Sequence, residues 1–472
     1  MTTTRRSVLA MSVAAAATAA MLAGAFPGAS AAPVSEQAGA YSARHAQTYL
    51  YRVPGGAARA DDLLRAGFDV LEEREGDDLF VMGRADVGDR LRAAGHRARV
   101  EQALDPVTWA PPARSGQAPV LDAAVAEETY YGGYRTVNAQ FAHLDQVARD
   151  HAALATVVDY GDSWRKSRGS GGYDLKAICI TKKNAGDCAL STSAPKPRLF
   201  VMGQLHAREI TTGDVAYRWI DHLTDGYGTD AEVTALLDST EVWVVPIANP
   251  DGVDIVQRGG SYPYLQRKNA NNTNGAGCGT TGGSSQVGID LNRNTSSGYG
   301  TGSSTQPCAE TYRGPSANSE VEVRALQSLW RSLYRDRRAT GTSAPAPADT
   351  TGMVISMHSY SNMVLFPWGF NSAVKSGNDT SLRAIARQMA TIAGTGWRYG
   401  QPGEILYNAG GATDDWVYDD LGVSSFVWEI GGSSGSCSGF LPAYSCQSST
   451  YWPKVKAMLL YSAKKAKNPY TA

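Results

Sequence analysis

Two histidines that each close an apolar run constrain this chain more than any other feature: His206, at the head of HARE, and His358, at the head of HSY. The run PRLFVMGQL (Pro197 to Leu205) reads as a buried strand ending at His206, and MVISM (Met353 to Met357) delivers His358 in the same way. A fold that uses both imidazoles at one place must bring two strand ends together. Glu209 follows His206 by three positions, in the turn expected to open the next helix, an offset that lets an imidazole and a carboxylate face one point. Two histidines and one carboxylate would leave a zinc ion one position open for water, which is the catalytic rather than the structural arrangement.

A single histidine at a strand end is more often an ordinary, partly buried imidazole. The chain has only seven. His45, His96, His143, His151 and His222 stand in polar or helix-patterned surroundings without a carboxylate at ligand spacing, and are read as solvated. The neighbours of His206 and His358 set those two apart.

The two motifs belong to an ordered series: HARE at His206, NPDG at Asn249, QRKN at Gln266, DLNRN at Asp290, HSYSN at His358, YNAGGATDDW at Tyr407 and FVWEIG at Phe426. The series resembles that of the zinc carboxypeptidases of the carboxypeptidase A/B type, the M14 metallocarboxypeptidases, nearest to their secreted bacterial members. It extends from about Tyr130 to the C-terminus, and no HExxH helix competes with it. The resemblance implies one zinc ion held by His206, Glu209 and His358, with Glu429 as general base and Arg267 stabilising the negative oxygen of the tetrahedral intermediate. It further implies that Asn292 and Arg293 clamp the free terminal carboxylate of a peptide. Arg208 and Tyr360 would line the substrate path, and Tyr407 would close over the bound terminal residue. Asp414, seven positions after Tyr407, matches the base of the specificity pocket, where an acidic residue favours terminal Lys or Arg. Leu365, Gly369 and Ala409 at other pocket positions leave room for apolar side chains, so the implied activity is broad, on basic and hydrophobic C-termini. Asp415 is taken as a structural aspartate and Lys268 as solvent-facing.

Composition agrees with this reading. A formal net charge of −1 leaves no basic stripe for nucleic acid. Arg5 and Arg6, an apolar run from Val8 to about Phe26, and Ala29-Ser30-Ala31 read as a secretory signal over residues 1–31. The paired arginines fit a twin-arginine route, and a general secretory route stays equally open. No later stretch approaches the roughly 20 apolar residues that span a bilayer, so the expectation is a secreted protein with no membrane role. Six cysteines fit an oxidising compartment. Proximity suggests Cys179 with Cys188, Cys278 with Cys308, and Cys437 with Cys446, one of about fifteen possible connectivities.

Residues 32–126 differ in character. TYLYRV (Thr48 to Val53), ADDLLRAGF (Ala60 to Phe68) and DDLFVMG (Asp77 to Gly83) suggest a small αβ module, and APPARSGQAPV (Ala110 to Val120) reads as an exposed linker. By resemblance the module is a propeptide removed by an activating protease, and a permanently attached accessory domain is the alternative. From Glu127 to residue 472, helix patterns alternate with apolar strands: TVNAQFAHLDQVARDH (Thr136 to His151), TEVWVVPIA (Thr240 to Ala248) and SEVEVRALQSLWRSLY (Ser319 to Tyr334). Ser319 and Glu322 suggest a capping box. This alternation predicts an α/β fold with a mixed, largely parallel twisted sheet and helices on both faces. The stretch Asn269 to Asn318 is read as an active-site rim, Gly161 to Leu175 as a departure from the family pattern, and Lys454 to Asn468 as a terminal amphipathic helix.

The expected partners are peptide or protein C-termini, met by a monomer. Two other readings stand beside this one. The same zinc chemistry could trim peptidoglycan stem peptides, although no wall-binding repeat is visible, or a degenerate relative could hold peptide C-termini without cleaving them.

Overall fold

The computed structural model describes residues 47–104, 128–279 and 285–471; residues 1–31, read as a secretory signal, and Ala110 to Val120, read as a linker, lie outside them. Residues 47–104 form a four-stranded antiparallel sheet, ordered β2-β3-β1-β4, from β1 (Thr48–Val53), β2 (Asp69–Glu75), β3 (Asp78–Gly83) and β4 (Arg99–Leu104). Two helices, Ala60–Arg65 and Ala85–Ala93, complete the αβ module.

After a short hairpin of β5 (Thr129–Tyr130) and β6 (Tyr134–Arg135), eight strands build the main sheet. They are β7 (Ala155–Asp162), β8 (Asp174–Ile180), β9 (Arg198–Met202), β10 (Glu241–Val245), β11 (Met353–His358), β12 (Met363–Leu365), β13 (Arg398–Gly400) and β14 (Ser424–Glu429). Their spatial order is β13-β12-β14-β11-β9-β10-β8-β7. The middle four, β14, β11, β9 and β10, run parallel; antiparallel pairing enters at β8 with β10, β7 with β8, and β12 with β14. All residues of β9, β10, β11 and β14 are buried, as strands covered on both faces must be.

Alternate side chains feed two cores. Leu199, Val201, Ile355 and Phe426 pack with Trp219, Leu223, Met389 and Leu459, from the helices Ile210–Gly226, Asp379–Ala393 and Trp452–Lys465. Phe200, Met202, Trp243 and Val354 pack on the other face with Leu326, Trp330 and Trp416, from Val321–Leu333 and Thr413–Leu421. The three disulfides join Cys179 to Cys188, Cys278 to Cys308 and Cys437 to Cys446, as proximity suggested. Among the described residues no helix is long and apolar enough to cross a membrane.

Helix ends show where local patterns succeed and fail. Thr136 caps Val137–Asp150, its hydroxyl accepting from Ala139 N at 3.2 Å. The expected capping box at Ser319 does not form. Glu320 is the N-cap residue; Ser319 donates to the Glu320 carboxylate, and the Glu322 carboxylate accepts from Trp164 N at 2.8 Å. A neighbouring loop has claimed the side chain that the box required.

From Gln47 onward the chain packs as one compact unit, and the module lies against the main sheet. Val53, Leu63, Val70 and Val81 share a core with Leu365, Leu406, Tyr407 and Val427, while Leu50, Leu71, Phe80 and Met82 pack with Tyr360 and Phe440. Strand β2 is the module's edge, buried from Asp69 to Glu73. Its pairing with β3 is irregular between Val70 and Arg74, which breaks simple alternation and lets successive side chains find buried partners.

Candidate active site

Strand β9 ends at Met202, and the chain turns at once toward His206. The turn is tight at Gly203, where a Cβ would stand 2.9 Å from the Thr212 carbonyl oxygen and 3.0 Å from that of Pro246. Ala207 N donates to the Arg267 carbonyl at 3.0 Å and Glu209 N to that of His206 at 3.2 Å, so Glu209 becomes the N-cap of Ile210–Gly226. Strand β11 ends on His358 and β14 on Glu429, and these two residues are direct partners in the parallel ladder. The site therefore lies beyond the carboxyl ends of the central strands, where ligands of open α/β sheets bind.

His206 Nδ1 stands 2.7 Å from Glu209 Oε1, His358 Nδ1 stands 2.9 Å from Glu209 Oε2, and the two Nδ1 atoms are 3.0 Å apart. All three residues are buried. The far nitrogens are already engaged: His206 Nε2 with Asp290 Oδ1 at 3.2 Å, and His358 Nε2 with the Ser356 hydroxyl at 2.8 Å. With protons held on Nε2, both Nδ1 lone pairs and a carboxylate face one small buried volume, an arrangement that repels itself unless a cation lies between them. The donor set of two imidazoles and one carboxylate fits zinc. Burial and the neighbouring Arg267 pull the His206 imidazole down, but the Glu209 and Asp290 carboxylates outweigh them and leave its pKa raised. Burial depresses that of His358.

Asp290 joins the candidate metal ligands to the arginine. Its second oxygen, Oδ2, accepts from Arg267 Nε at 3.0 Å, and Arg267 Nη1 lies 4.0 Å from Glu209 Oε1. The same Nη1 donates to Glu72 Oε1 of the module at 2.9 Å. Glu429 is buried, and its Oε2 has no hydrogen-bond partner among the described residues. Burial, with the Glu209 and Glu72 carboxylates nearby, pushes its pKa well above the usual range.

The other predicted residues gather around this centre. Asn292 Oδ1 accepts from Thr413 N at 2.9 Å, and Arg293 donates from Nε to the Gly302 carbonyl at 3.2 Å and from Nη1 to that of Asn292 at 2.9 Å. Tyr407 is folded inward, its hydroxyl donating to the Val70 carbonyl at 3.2 Å. Tyr360 packs edge-on against Phe440 at 5.0 Å. Arg208 holds Asp69 with both terminal nitrogens, at 2.9 and 3.1 Å. Asp414 is buried in the first turn of Thr413–Leu421, and burial pushes its carboxyl up to about 6. Asp415 accepts from the backbone of Gly369 and Phe370, the structural role expected of it.

Two expectations are corrected. Lys268 is buried rather than solvent-facing, with Nζ on the Pro307 and Ala309 carbonyls at 2.8 Å each. His96 and His143 are also buried, and His143 Nε2 sits 2.7 Å from Asp221 Oδ1; the helix pattern around His143 did not reveal its packing partner. His45 lies outside the described residues. The functional neighbours that sequence reading passed over are Asp290, Ser356, Glu310, Asp69 and Glu72. Asp290 stood inside a quoted motif. The acid run DVLEERE gave the only signal for the module's pair.

A family model described as zinc carboxypeptidase matches residues 141–454. The chain is 28% identical to carboxypeptidase A2 of Mus musculus over 306 residues, 64% of this chain and 63% of that relative, so it spans less than two thirds of the relative's length. Among solved structures it is similar to carboxypeptidase A from Helicoverpa armigera, with a TM-score of 0.66, 22% identity, and coverage of 89% of this chain and 98% of that one. It is also similar to thrombin activatable fibrinolysis inhibitor, with a TM-score of 0.65, 20% identity, and coverage of 90% and 99%. Coverage that wide takes in the module as well as the main sheet.

Proposed function

The chain belongs to the zinc carboxypeptidase family, and from that premise we propose that it is a secreted zinc-dependent carboxypeptidase that removes single C-terminal residues, basic and hydrophobic, from peptides. The observation that carries this reading is the buried convergence of His206 Nδ1, His358 Nδ1 and the Glu209 carboxylate beside Arg267 and Glu429. Zinc held by the three ligands would supply Lewis acidity and lower the pKa of water toward roughly 7.

The chain's own groups perform the remaining work. Arg293, with Asn292, receives the terminal carboxylate of the peptide, for which a guanidinium fork is well matched. Tyr407, released from Val70, closes over the terminal residue, and Asp414 at the pocket base meets a basic side chain. Glu429 takes a proton from the attacking water and passes it to the leaving amine nitrogen. Its Oε2 has no hydrogen-bond partner among the described residues and its pKa is raised by burial, as suits a group that must both accept and return a proton. Arg267 faces the oxygen that becomes negative in the tetrahedral intermediate.

The module supports a further part of the proposal, that the chain is made as an inactive precursor. Glu72 occupies Arg267, Asp69 occupies Arg208, and Val70 holds Tyr407. The paired arginines and apolar run at the N-terminus, with three disulfides, support export. The test uses the full-length chain before and after limited proteolysis. Substrates are peptides ending in Lys or Phe and their C-terminal amides, each with and without a chelator. Release of one terminal residue from the free acids alone, after proteolysis and with zinc present, is the expected result. Cleavage of the amides, or chelator-insensitive release, would exclude the proposal.

A further inference from the structure

Arg208 offers the part of the site whose preference is least obvious. It is buried, with its guanidinium 4.2 Å from the Phe440 ring and its two terminal nitrogens on the Asp69 carboxylate. On the catalytic side its only acidic contact among the described residues is Glu310, through one oxygen at 3.5 Å from Nη1. The paired fork geometry, which distinguishes strong guanidinium–carboxylate recognition, is thus filled from outside the catalytic unit.

The segment that fills it lies across the site as an extended chain. Asp69 sits on Arg208, the Val70 carbonyl accepts from Tyr407, the Glu72 carbonyl accepts from Ser361, and the Glu72 carboxylate sits on Arg267, next to the metal ligand Glu209. Backbone carbonyls therefore meet side-chain donors of the site along the same path on which two carboxylates meet arginines. When this segment leaves, Arg208 loses both oxygens of Asp69, whereas Arg267 loses Glu72 but keeps Asp290 at 3.0 Å. The opened site is left with a guanidinium fork at Arg208 whose two terminal nitrogens had faced one carboxylate.

We propose that Arg208 is a specificity-determining residue that selects peptides with an acidic side chain upstream of the scissile bond, in the place that Asp69 occupies in the intact chain. The substrate class is a peptide with a basic or hydrophobic C-terminal residue and an aspartate or glutamate a few positions before it. This rests on the carboxypeptidase reading given above. Glu310 does not fill the role, because one long contact leaves the second nitrogen of the fork unpaired.

The experiment uses the full-length chain activated by limited proteolysis and loaded with zinc. Peptides ending in Lys carry Asp, Asn or Ala at each of the three positions upstream of the terminal residue, and kcat/KM is measured for all. At one position Asp should exceed Asn by about tenfold, the size expected of a charge-assisted paired contact over a neutral one. In Arg208→Gln that ratio should fall to about 1, while the preference for a free C-terminal acid over the amide persists. Asp and Asn peptides cleaved equally at all three positions by the unsubstituted enzyme would overturn the proposal alone, with no need of a variant. Release from none of the peptides would remove the carboxypeptidase reading beneath it.

Discussion

Glu72 Oε1 accepts a hydrogen bond from Arg267 Nη1 at 2.9 Å, although Glu72 lies in strand β2 and Arg267 in a loop 195 positions away. Burial alone would push the Glu72 carboxyl up, but Arg267 outweighs it and holds the pKa below the usual value, so the contact is an ion pair. Removing one member of a buried pair leaves the other uncompensated, at a cost of about 3–5 kcal/mol. In the full-length, unproteolysed chain, Glu72→Gln with Asp69→Asn should therefore raise peptide hydrolysis by roughly tenfold or more as the module loosens. Unchanged basal hydrolysis in that double variant would show that apolar packing alone keeps the site closed.

The metal prediction is read by zinc content rather than by rate. His206→Ala, Glu209→Ala and His358→Ala should each reduce bound zinc from about one ion per chain to near none at neutral pH. Ser356→Ala removes only the partner of His358 Nε2 and should weaken zinc binding by about tenfold or more. Retention of zinc by all three ligand variants after dialysis would place the ion elsewhere.

Glu429→Gln should leave zinc content intact and lower kcat by about two to four orders of magnitude, with a small change in KM. Steady-state kinetics on a peptide ending in Phe would measure it, and a kcat within a few-fold of the original would assign the proton transfer to another group.

Asp414 has no ion-pair partner among the described residues. Asp414→Ala should lower kcat/KM for C-terminal Lys peptides by about tenfold or more relative to Phe peptides, because a basic side chain then enters a pocket without its counter-charge. A constant Lys to Phe ratio would remove Asp414 from the pocket base.

Glu322 makes a prediction about stability. Burial, then the adjacent Glu320 carboxylate, pushes its pKa from 4.5 up to about 8. The folded chain keeps a proton there that the unfolded chain has released, so this contribution is complete below pH 4.5 and is lost as pH rises through about 8. Between those limits the thermal midpoint of the parent chain should fall with rising pH more steeply than that of Glu322→Gln. Parallel curves for the two proteins would show that Glu322 titrates normally.

Much of the catalytic unit was legible because strand ends and motif order are local in sequence. PRLFVMGQL and MVISM are mostly apolar, with only Arg198, Gln204 and Ser356 polar, as strands covered on both faces are, and their ends mark where side chains converge. The reading failed where a distant partner decides the outcome. Lys268 looks exposed beside Arg267, yet two carbonyls from the Cys278–Cys308 loop hold its ammonium inside. Ser319 and Glu322 have capping-box spacing, but Trp164 N, from a loop 158 positions away, competes for the same carboxylate. The carboxylates of β2 were invisible as site residues for a similar reason: their arginines lie in a turn and a loop far along the chain, and nothing in DVLEERE names them.

The ladder pairing of His358 with Glu429 makes the backbone itself the ruler for the chemistry. The distance between the proposed metal ligand and the proposed proton carrier is inherited from the spacing between adjacent parallel strands, about 4.8 Å, rather than from any loop. Insertions in the rim loops can therefore accumulate without altering that distance, whereas a one-residue slip between β11 and β14 would turn one of the two side chains to the opposite face. Substrate choice and the spacing of the reacting pair are thereby assigned to separate parts of the polypeptide, and a library that randomises rim positions other than His206, Glu209, Arg267, Asp290, Asn292, Arg293 and Tyr407, with β11 and β14 intact, should yield altered specificities from enzymes that still turn over.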